Sequence, residues 1–459
     1  MRVLFLIPGL ISLVFVLRRR IDTAFLSIFL PCLLLLPKDY QLRLPHLPPF
    51  SAADFAVMPL GVVGLSRLMR SRSFALMDVL VVLFAASVSL SEVLHEPILN
   101  NGIFASIDAF VTMVLPYMVG RQLIEPKLRL ATIQRFVTLV LLDGFPGLYE
   151  LRMGQSLYGI IGEKFWGIPI LMHYRNGHAR IGAVFGGGEL SGIALSMTFC
   201  LNAWLVSLRR IKAPVDLGKT LTTLEKYHLP GLLLLLYVWF TGSRGPLLAL
   251  AAGYLIVQIP RLNRFKNPKL TMFVVAVLLV CGYVATSAYF ASYTNVRGPN
   301  AVQDEKQSSA IYRRKMNEVY PSIAEAGGWT GWGVMGVPHV QGLVSIDNQY
   351  LLVHLAYGRL GYILFLLITW ENLRVLVVRS WQFKALQDRA FALSMLAAMA
   401  VLWLSVLTVF MGAQLPEISF LLIGWIQSMA PGKPANPPTN KVTKIKINNF
   451  PSGSLPATI

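Results

Sequence analysis

Leu229–Phe240 and Pro246–Ile259 carry no charged residue, and a single arginine stands between them, in Thr241-Gly242-Ser243-Arg244-Gly245. Uncharged apolar runs of this kind recur along nearly the whole chain. About 20 apolar residues cross the hydrocarbon core of a bilayer as a helix, whereas a spanning strand needs about half that and alternates. The runs here are long and do not alternate, so they read as helices. With 55% hydrophobic residues and 14% charged ones, the chain holds more apolar surface than a soluble core could hide. An arginine at bilayer depth costs about 2.5 kcal/mol or more, so Arg244 must face protein, water or an anion rather than lipid.

The segments 2–17, 21–36, 51–66, 74–91, 103–120, 130–150, 181–208, 229–242, 245–260, 270–290, 347–378, 390–411 and 414–429 qualify as spans. The expected fold is therefore all-α: a polytopic membrane helical bundle of about 12–13 transmembrane helices. Residues 1–430 read as one transmembrane domain that includes two outward loops, 152–180 and 291–346. The Pro-, Asn- and Lys-rich tail 431–459 reads as disordered. The apolar start, 2–17, is followed by Arg18-Arg19-Arg20 without a small-residue cleavage site and reads as a retained, rather short first span or a re-entrant helix. The segment from Asp347 is too long for a simple crossing, since 32 residues extend about 48 Å. It must tilt, break near Gly358 and Gly361, or project its first turns outward.

The net charge of +19 invites a nucleic-acid partner, but its distribution excludes one. Basic residues cluster in short loops at alternating intervals, as the positive-inside rule requires. Placing the loops at 18–20, 67–72, 121–129, 209–226, 261–269 and 374–389 and the tail in the cytoplasm gathers most of the 41 Lys and Arg there. Arg135, Arg244 and Arg359 remain inside apolar stretches. Contact with membrane lipids follows from this pattern. Cys32, Cys200 and Cys281 lie apart in apolar segments, which disfavours a disulfide framework or thiolate site. No metal-ligand spacing is present, and no cofactor is expected.

Arginine-bearing segments around Arg180, Arg244 and Arg313 fall on the other, outward side. A guanidinium offers a fixed fork of donors to phosphate oxygens and keeps its charge at any relevant pH. Arg180 precedes the glycine-rich 182–192 segment, which serves either as a phosphate nest or as a close-packing helix face. Glu189 within it is a carboxylate base or an arginine partner. Asp347-Asn348 opens the long late span; Asp347 is either a helix N-cap or a general base able to take a proton from a sugar hydroxyl. His354, two helical turns on, is a second candidate base. The stretch 308–326 reads as an amphipathic helix with Ile311, Met316, Val319 and Ile323 on one face. Arg313 and Arg314 on it are either substrate ligands or its solvated side. Trp332, in the Gly-rich turn that follows, is an interfacial or sugar-stacking aromatic.

In order, these segments resemble the bacterial O-antigen ligase and polysaccharide polymerase superfamily of integral membrane proteins. The resemblance rests on Arg180-Ile181-Gly182-Ala183-Val184-Phe185, Ser243-Arg244-Gly245, Tyr312-Arg313 through Gly331-Trp332-Gly333, and Asp347-Asn348-Gln349-Tyr350-Leu351 with Gly358 and Gly361. It covers roughly 175–370. It implies a type C-like, inverting, metal-independent glycosyltransferase of the bacterial inner membrane with its active site facing the periplasm. The donor would be a glycan on undecaprenyl pyrophosphate. Asp347, Arg244 and Arg313 would be catalytic, and Arg180, Arg314, Asn348, His354, Glu189 and Trp332 substrate-binding. Ligases of the family usually carry His at the position of Asp347, so the aspartate looks more like the polymerase branch. A ligase remains the alternative, and a flippase of lipid-linked sugars the rival from another class; flippase and chain-length or export proteins would be partners. The Asn/Pro-rich turn after the family's Phe is replaced here by Gly186–Glu189, and Asn317 stands where many members have Trp.

Overall fold

The computed structural model describes residues 2–43, 47–95, 99–175, 177–210, 228–262, 268–295 and 305–429. The expected disordered tail, Arg297 and most of the basic loop at 209–226 lie outside the described residues. Every segment expected to span is helical. In chain order the helices are α1 (Arg2–Leu17), α2 (Ile21–Leu35), α3 (Ala52–Ser71), α4 (Leu76–His95), α5 (Asn101–Leu123), α6 (Arg129–Met153), α7 (Leu157–Trp166), α8 (Gly188–Arg210), α9 (Leu229–Phe240), α10 (Arg244–Leu262), α11 (Pro268–Thr294), α12 (Glu305–Ala326), α13 (Gln349–Gln382), α14 (Leu386–Ser405) and α15 (Leu415–Ser428). Two short antiparallel pairings, Gln41–Leu42 with Phe50–Ser51 and Tyr174–Arg175 with His178–Ala179, are the strands among the described residues. The protein is an all-α polytopic membrane protein. Seven of its helices are long and apolar enough to cross a bilayer, and α1, α2, α9 and α10 contain shorter apolar stretches.

Local chemistry sets the helix boundaries. At the start of α3 the Ser51 hydroxyl accepts from the Asp54 N–H at 3.2 Å while Asp54 Oδ2 accepts from the Ser51 N–H at 2.8 Å, a reciprocal capping box. The helix widens to a π turn at Phe25–Phe29 and again at Phe110–Val114. Each bulge leads into a proline, Pro31 or Pro116, whose ring displaces the carbonyl one turn back. Small residues let backbones touch where the bundle is tightest. A Cβ on Gly120 would lie 2.0 Å from Leu421 O, and one on Gly424 would lie 2.0 Å from Tyr117 O, so α5 and α15 pack main chain on main chain.

Of the loops grouped by charge, those at 18–20, 67–72, 121–129 and 374–389 meet at one end of the bundle. There Arg129 pairs with Asp388 at 2.6 Å, Arg67 donates to Gln122 O at 3.3 Å, and Lys127 approaches Asp22 at 3.9 Å. At the other end Arg2 donates to Trp166 O at 2.8 Å, and Gln414 Nε2 donates to Leu36 O at 2.9 Å.

Helix α13 resolves the length problem by breaking. Gly358 takes φ 65° and ψ −165° inside it. The part beyond the break, 359–382, is about 36 Å long at 1.5 Å per residue, close to one bilayer core. A break frees backbone groups, which at membrane depth need partners. The turn at 327–333 supplies them. Trp332 and Gly333 N–H donate to Leu355 and Ala356 O, each at 2.9 Å, while Arg359 and Leu360 N–H donate to Gly328 O at 3.0 Å and Trp329 O at 3.2 Å. Ser91 Oγ from α4 adds a bond to Ala356 O at 2.7 Å. Arg359 faces out of the apolar stretch and pairs with Glu325, its Nε 3.0 Å from Oε2. A Cβ on Gly358 would meet Gly331 N at 2.4 Å and Trp329 O at 2.5 Å, in a backbone conformation that L-residues rarely adopt. Gly358→Ala should therefore cost about 3 kcal/mol or more, read as a lower melting temperature of the detergent-purified protein.

Candidate active site

A cleft of about 460 Å³ opens at the end of the bundle away from the basic loops. Its walls come from segments distant in the chain: Lys38 after α2, His173, Gly186 to Glu189 at the head of α8, Arg313 on α12, Asp347 before α13, and the 408–413 loop. Charge is dense here. Burial and then the nearby Arg180, Arg244 and Arg313 pull Arg175 below the ordinary arginine value. Burial would also lower Lys38, but the Glu417 carboxylate, with Asp54 and Asp108, outweighs it and raises the ammonium above its usual range.

Asp347 and Arg313 meet across this cleft, Asp347 Oδ2 lying 3.8 Å from Arg313 Nη2. Asp347 is not the helix cap. Asn348 fills that role, its Oδ1 accepting from Tyr350 N–H at 3.0 Å and Leu351 N–H at 3.2 Å. The aspartate carboxylate is thereby left to the cleft, oriented by Ser345 Oγ at 2.8 Å. Tyr312, next to Arg313, ties the same loop down by donating to Ser345 O at 2.6 Å. Beneath it Met316, Tyr320 and Ala324 of α12 pack on Leu343, Leu351 and Leu355, with Val319 and Ile323 against them. Of the amphipathic face read from sequence, Met316, Val319 and Ile323 belong to this packing face; Ile311 does not, and Tyr312, Tyr320 and Ala324 join it.

Arg180 is a buried hub rather than a free ligand. Its Nε donates to Thr241 O at 2.8 Å, its Nη2 to Ser243 Oγ at 2.6 Å, and its Nη1 pairs with Glu189 Oε1 at 2.7 Å. It thus holds the break between α9 and α10 from which Arg244 projects, exposed, as the first residue of α10. Gly188 permits this approach, since a Cβ there would sit 2.8 Å from Thr241 O and 3.0 Å from Arg180 Nε. Gly186 and Gly187 line the cleft with nothing within 4 Å of an added Cβ. The glycine run therefore divides its work between close packing and an open wall.

Two buried carboxylates of α6 fix the strand of chain that carries Arg180. Glu150 Oε2 accepts from Gly182 N–H at 2.9 Å and Ala183 N–H at 2.7 Å, and its Oε1 from Ser156 Oγ at 2.9 Å. Asp143 Oδ1 accepts from Tyr158 Oη at 2.9 Å and Val184 N–H at 3.2 Å. They hold Ala183 at φ 45°, a left-handed conformation that is costly for a residue with a Cβ. Sequence reading missed this clamp, along with Lys38 and Arg175. Its signal was two acids seven residues apart, hence on one helical face, inside an expected span.

Of the sequence candidates, Glu189, Arg313 and Asp347 line the cleft, whereas Arg180, Arg244, Asn348, Arg314, His354 and Trp332 are not among its lining residues. Arg314 pairs with Glu318 one turn along the exposed side of α12, at 2.8 Å. His354 stacks on Tyr362, ring centroids 4.8 Å apart, with Glu325 at 4.0 Å as its nearest carboxylate. Trp332 donates its indole N–H to Ile323 O at 2.9 Å and packs over Gly327 within the turn that plugs the α13 break. Helical periodicity put His354 on the face of Asp347, but Asp347 precedes the helix and so lies off that face.

With this geometry in hand, residues 229–366 match the family model described as O-antigen ligase. That region is of the O-antigen ligase family. It runs from α9 through the Arg244 break, α12 and the turn at 327–333 to the first part of α13, and so contains Arg244, Arg313 and Asp347. No curated protein matches the chain. The match supports a ligase- or polymerase-type function in general. Lys38, Glu150, Arg180 and Glu189 lie outside the matched region, so their part in the site rests on the contacts described above.

Removing the Glu150 side chain strands two buried N–H groups, each worth about 1–3 kcal/mol. Glu150→Ala should therefore lower thermal stability distinctly. Glu150→Gln, whose amide oxygen can take the place of Oε2, should melt close to wild type in the same assay.

Proposed function

We propose that the chain is a polysaccharide repeat-unit polymerase of a bacterial inner membrane, acting at its periplasmic face. The growing glycan on undecaprenyl pyrophosphate is the donor, and a hydroxyl of an incoming lipid-linked unit is the acceptor. Asp347 takes the hydroxyl proton as the acceptor oxygen attacks the anomeric carbon from the side opposite the leaving group. The bond from that carbon to the pyrophosphate oxygen breaks, the configuration inverts, and the electron pair leaves on the pyrophosphate. Arg313 and Arg244 stabilise the departing charge, as cations already held in place do without reorganisation. Arg180 sets the hairpin that carries Arg244, with Glu189 as its counter-charge.

The observation that carries this reading is the pairing of Arg313 with Asp347 across a cleft whose other walls include Glu189 and Lys38. A carboxylate base beside a cation fits an acceptor hydroxyl adjoining a leaving diphosphate. Asn348 caps the helix in place of Asp347, which supports assigning the aspartate to chemistry. The description of the matched family favours a second reading, a ligase that moves finished glycan to another acceptor. Both readings use the same groups and differ in the acceptor.

Complementing a deletion strain with point variants and displaying its surface glycan on gels tests the proposal. Asp347→Asn should reduce transfer about 10²–10⁴-fold, and Arg313→Ala or Arg244→Ala about 10²–10³-fold, each with normal membrane insertion. The ladder of repeat lengths should collapse to single units; loss of attachment with an intact ladder decides for the ligase. Wild-type ladders in Asp347→Asn and Arg313→Ala would sink the mechanism. Translocation of lipid-linked sugar in liposomes without a new glycosidic bond would replace it with a transporter.

A further inference from the structure

At the end of the bundle opposite the cleft, the turn between α1 and α2, the inner part of α3 and the turn between α5 and α6 line a second, open depression, of about 440 Å³. Arg19, Arg20, Arg67 and Lys127 line it, against the two acids Asp22 and Glu125. The acids are engaged loosely and from one side: Lys127 lies 3.2 Å from Glu125 and 3.9 Å from Asp22, and Arg67 is 3.9 Å from Glu125. Among the described residues, no carboxylate comes within ion-pair distance of Arg19 or Arg20.

The backbone at Arg19 is the first unusual feature. Arg20 N–H donates to Phe15 O at 2.8 Å and Arg19 N–H to Val16 O at 2.9 Å, the paired bonds that close a helix through a left-handed residue. Glycine ordinarily fills that position, yet Arg19 holds it at φ 58°. A cation kept where glycine is easier points to a use for its charge.

Arg135 is the second and independent feature. It lies within α6, exposed on the bundle's outer surface, and donates to Leu26 O at 3.2 Å, inside the π-widened stretch of α2. Leu26 is one helical turn, about 6 Å, further into the bundle than Asp22 of the depression. Among the described residues, no carboxylate pairs with Arg135. A lipid-facing cation at this depth needs an anion or a route to the interface. Helix α1 packs on the π-widened stretch of α2, and its Leu10, Leu13 and Val14 are exposed apolar side chains.

We propose that this depression binds one anionic phospholipid, its phosphodiester held by Arg19, Arg20, Arg67 and Lys127 from the rim and by Arg135 from below. The acyl chains lie along α1. A headgroup between basic helix ends at the membrane surface is a physically ordinary way to neutralise such a cluster. This site is separate from the transferase cleft, so its test does not depend on the proposed reaction.

The full chain, purified from bilayers of phosphatidylcholine doped with phosphatidylglycerol, is examined for retained lipid by native mass spectrometry. Wild type should keep phosphatidylglycerol in clear excess over its bulk share. Arg19→Gly and Arg135→Leu should each lower retention about fivefold, the effect of one surface cation on an anionic lipid. Both changes suit the fold, since the first relieves the left-handed strain and the second places an apolar side chain against lipid. Arg19→Gly should therefore melt no lower than wild type while losing lipid, a split that general unfolding cannot produce. Lys164→Gln, at the other end of the bundle, should retain wild-type levels. Equal retention of the two lipids, full retention in Arg19→Gly and Arg135→Leu, an equal loss in Lys164→Gln, or displacement by micromolar inorganic phosphate would each overturn the proposal.

Discussion

Four backbone hydrogen bonds between the 328–333 turn and the 355–360 break of α13 hold this structure to its task. In water such an exchange would be worth little, because solvent could satisfy either side. Within a membrane-embedded bundle the freed groups have no other partner, and the alternative costs several kcal/mol for each group left bare. The helix can break only where the turn is present, and the turn keeps its shape only where the helix breaks. That mutual requirement fixes α12 against the head of α13. It thereby sets the spacing between Arg313, on α12, and Asp347, two residues before α13.

The same economy of partners governs the Arg180 side of the cleft. Buried acids of α6 hold the main chain at 182–184, that segment presents Arg180, and Arg180 holds the hairpin bearing Arg244. Each layer is satisfied before the next begins, so the outermost cation is the one left with open valence. Arg180, for all its placement beside the cleft, has spent its donors on Thr241, Ser243 and Glu189. Burial separates the arginines that build from those left open to the surface. Sequence position alone does not.

Much of the architecture was legible in the chain because hydrophobic length is a strong signal: each apolar run became a helix, and the excess length from Asp347 onward anticipated the break at Gly358. The alternation of basic loops likewise grouped segments that meet at a common end, as Arg129 with Asp388 and Arg67 with Gln122 show. Site residues were harder to read because their roles depend on neighbours far off in sequence. Nothing local distinguishes Asp347 from Asn348 as the helix cap. Nothing local tells that Arg314 will find Glu318 rather than the cleft, or that the Trp332 indole will be consumed by Ile323 O. Lys38 and Glu417 lie at opposite ends of the chain, and their pairing is a product of the fold alone.

Division of labour at the head of α13 has a further implication. Since the amide of Asn348 alone carries the start of the helix, position 347 is relieved of any duty to backbone geometry. A different side chain, an imidazole for instance, could stand there without unwinding the first turn, and the scaffold would tolerate the exchange. The side chain presented at this mouth is thus exchangeable by a single codon, while the frame that presents it stays as it is.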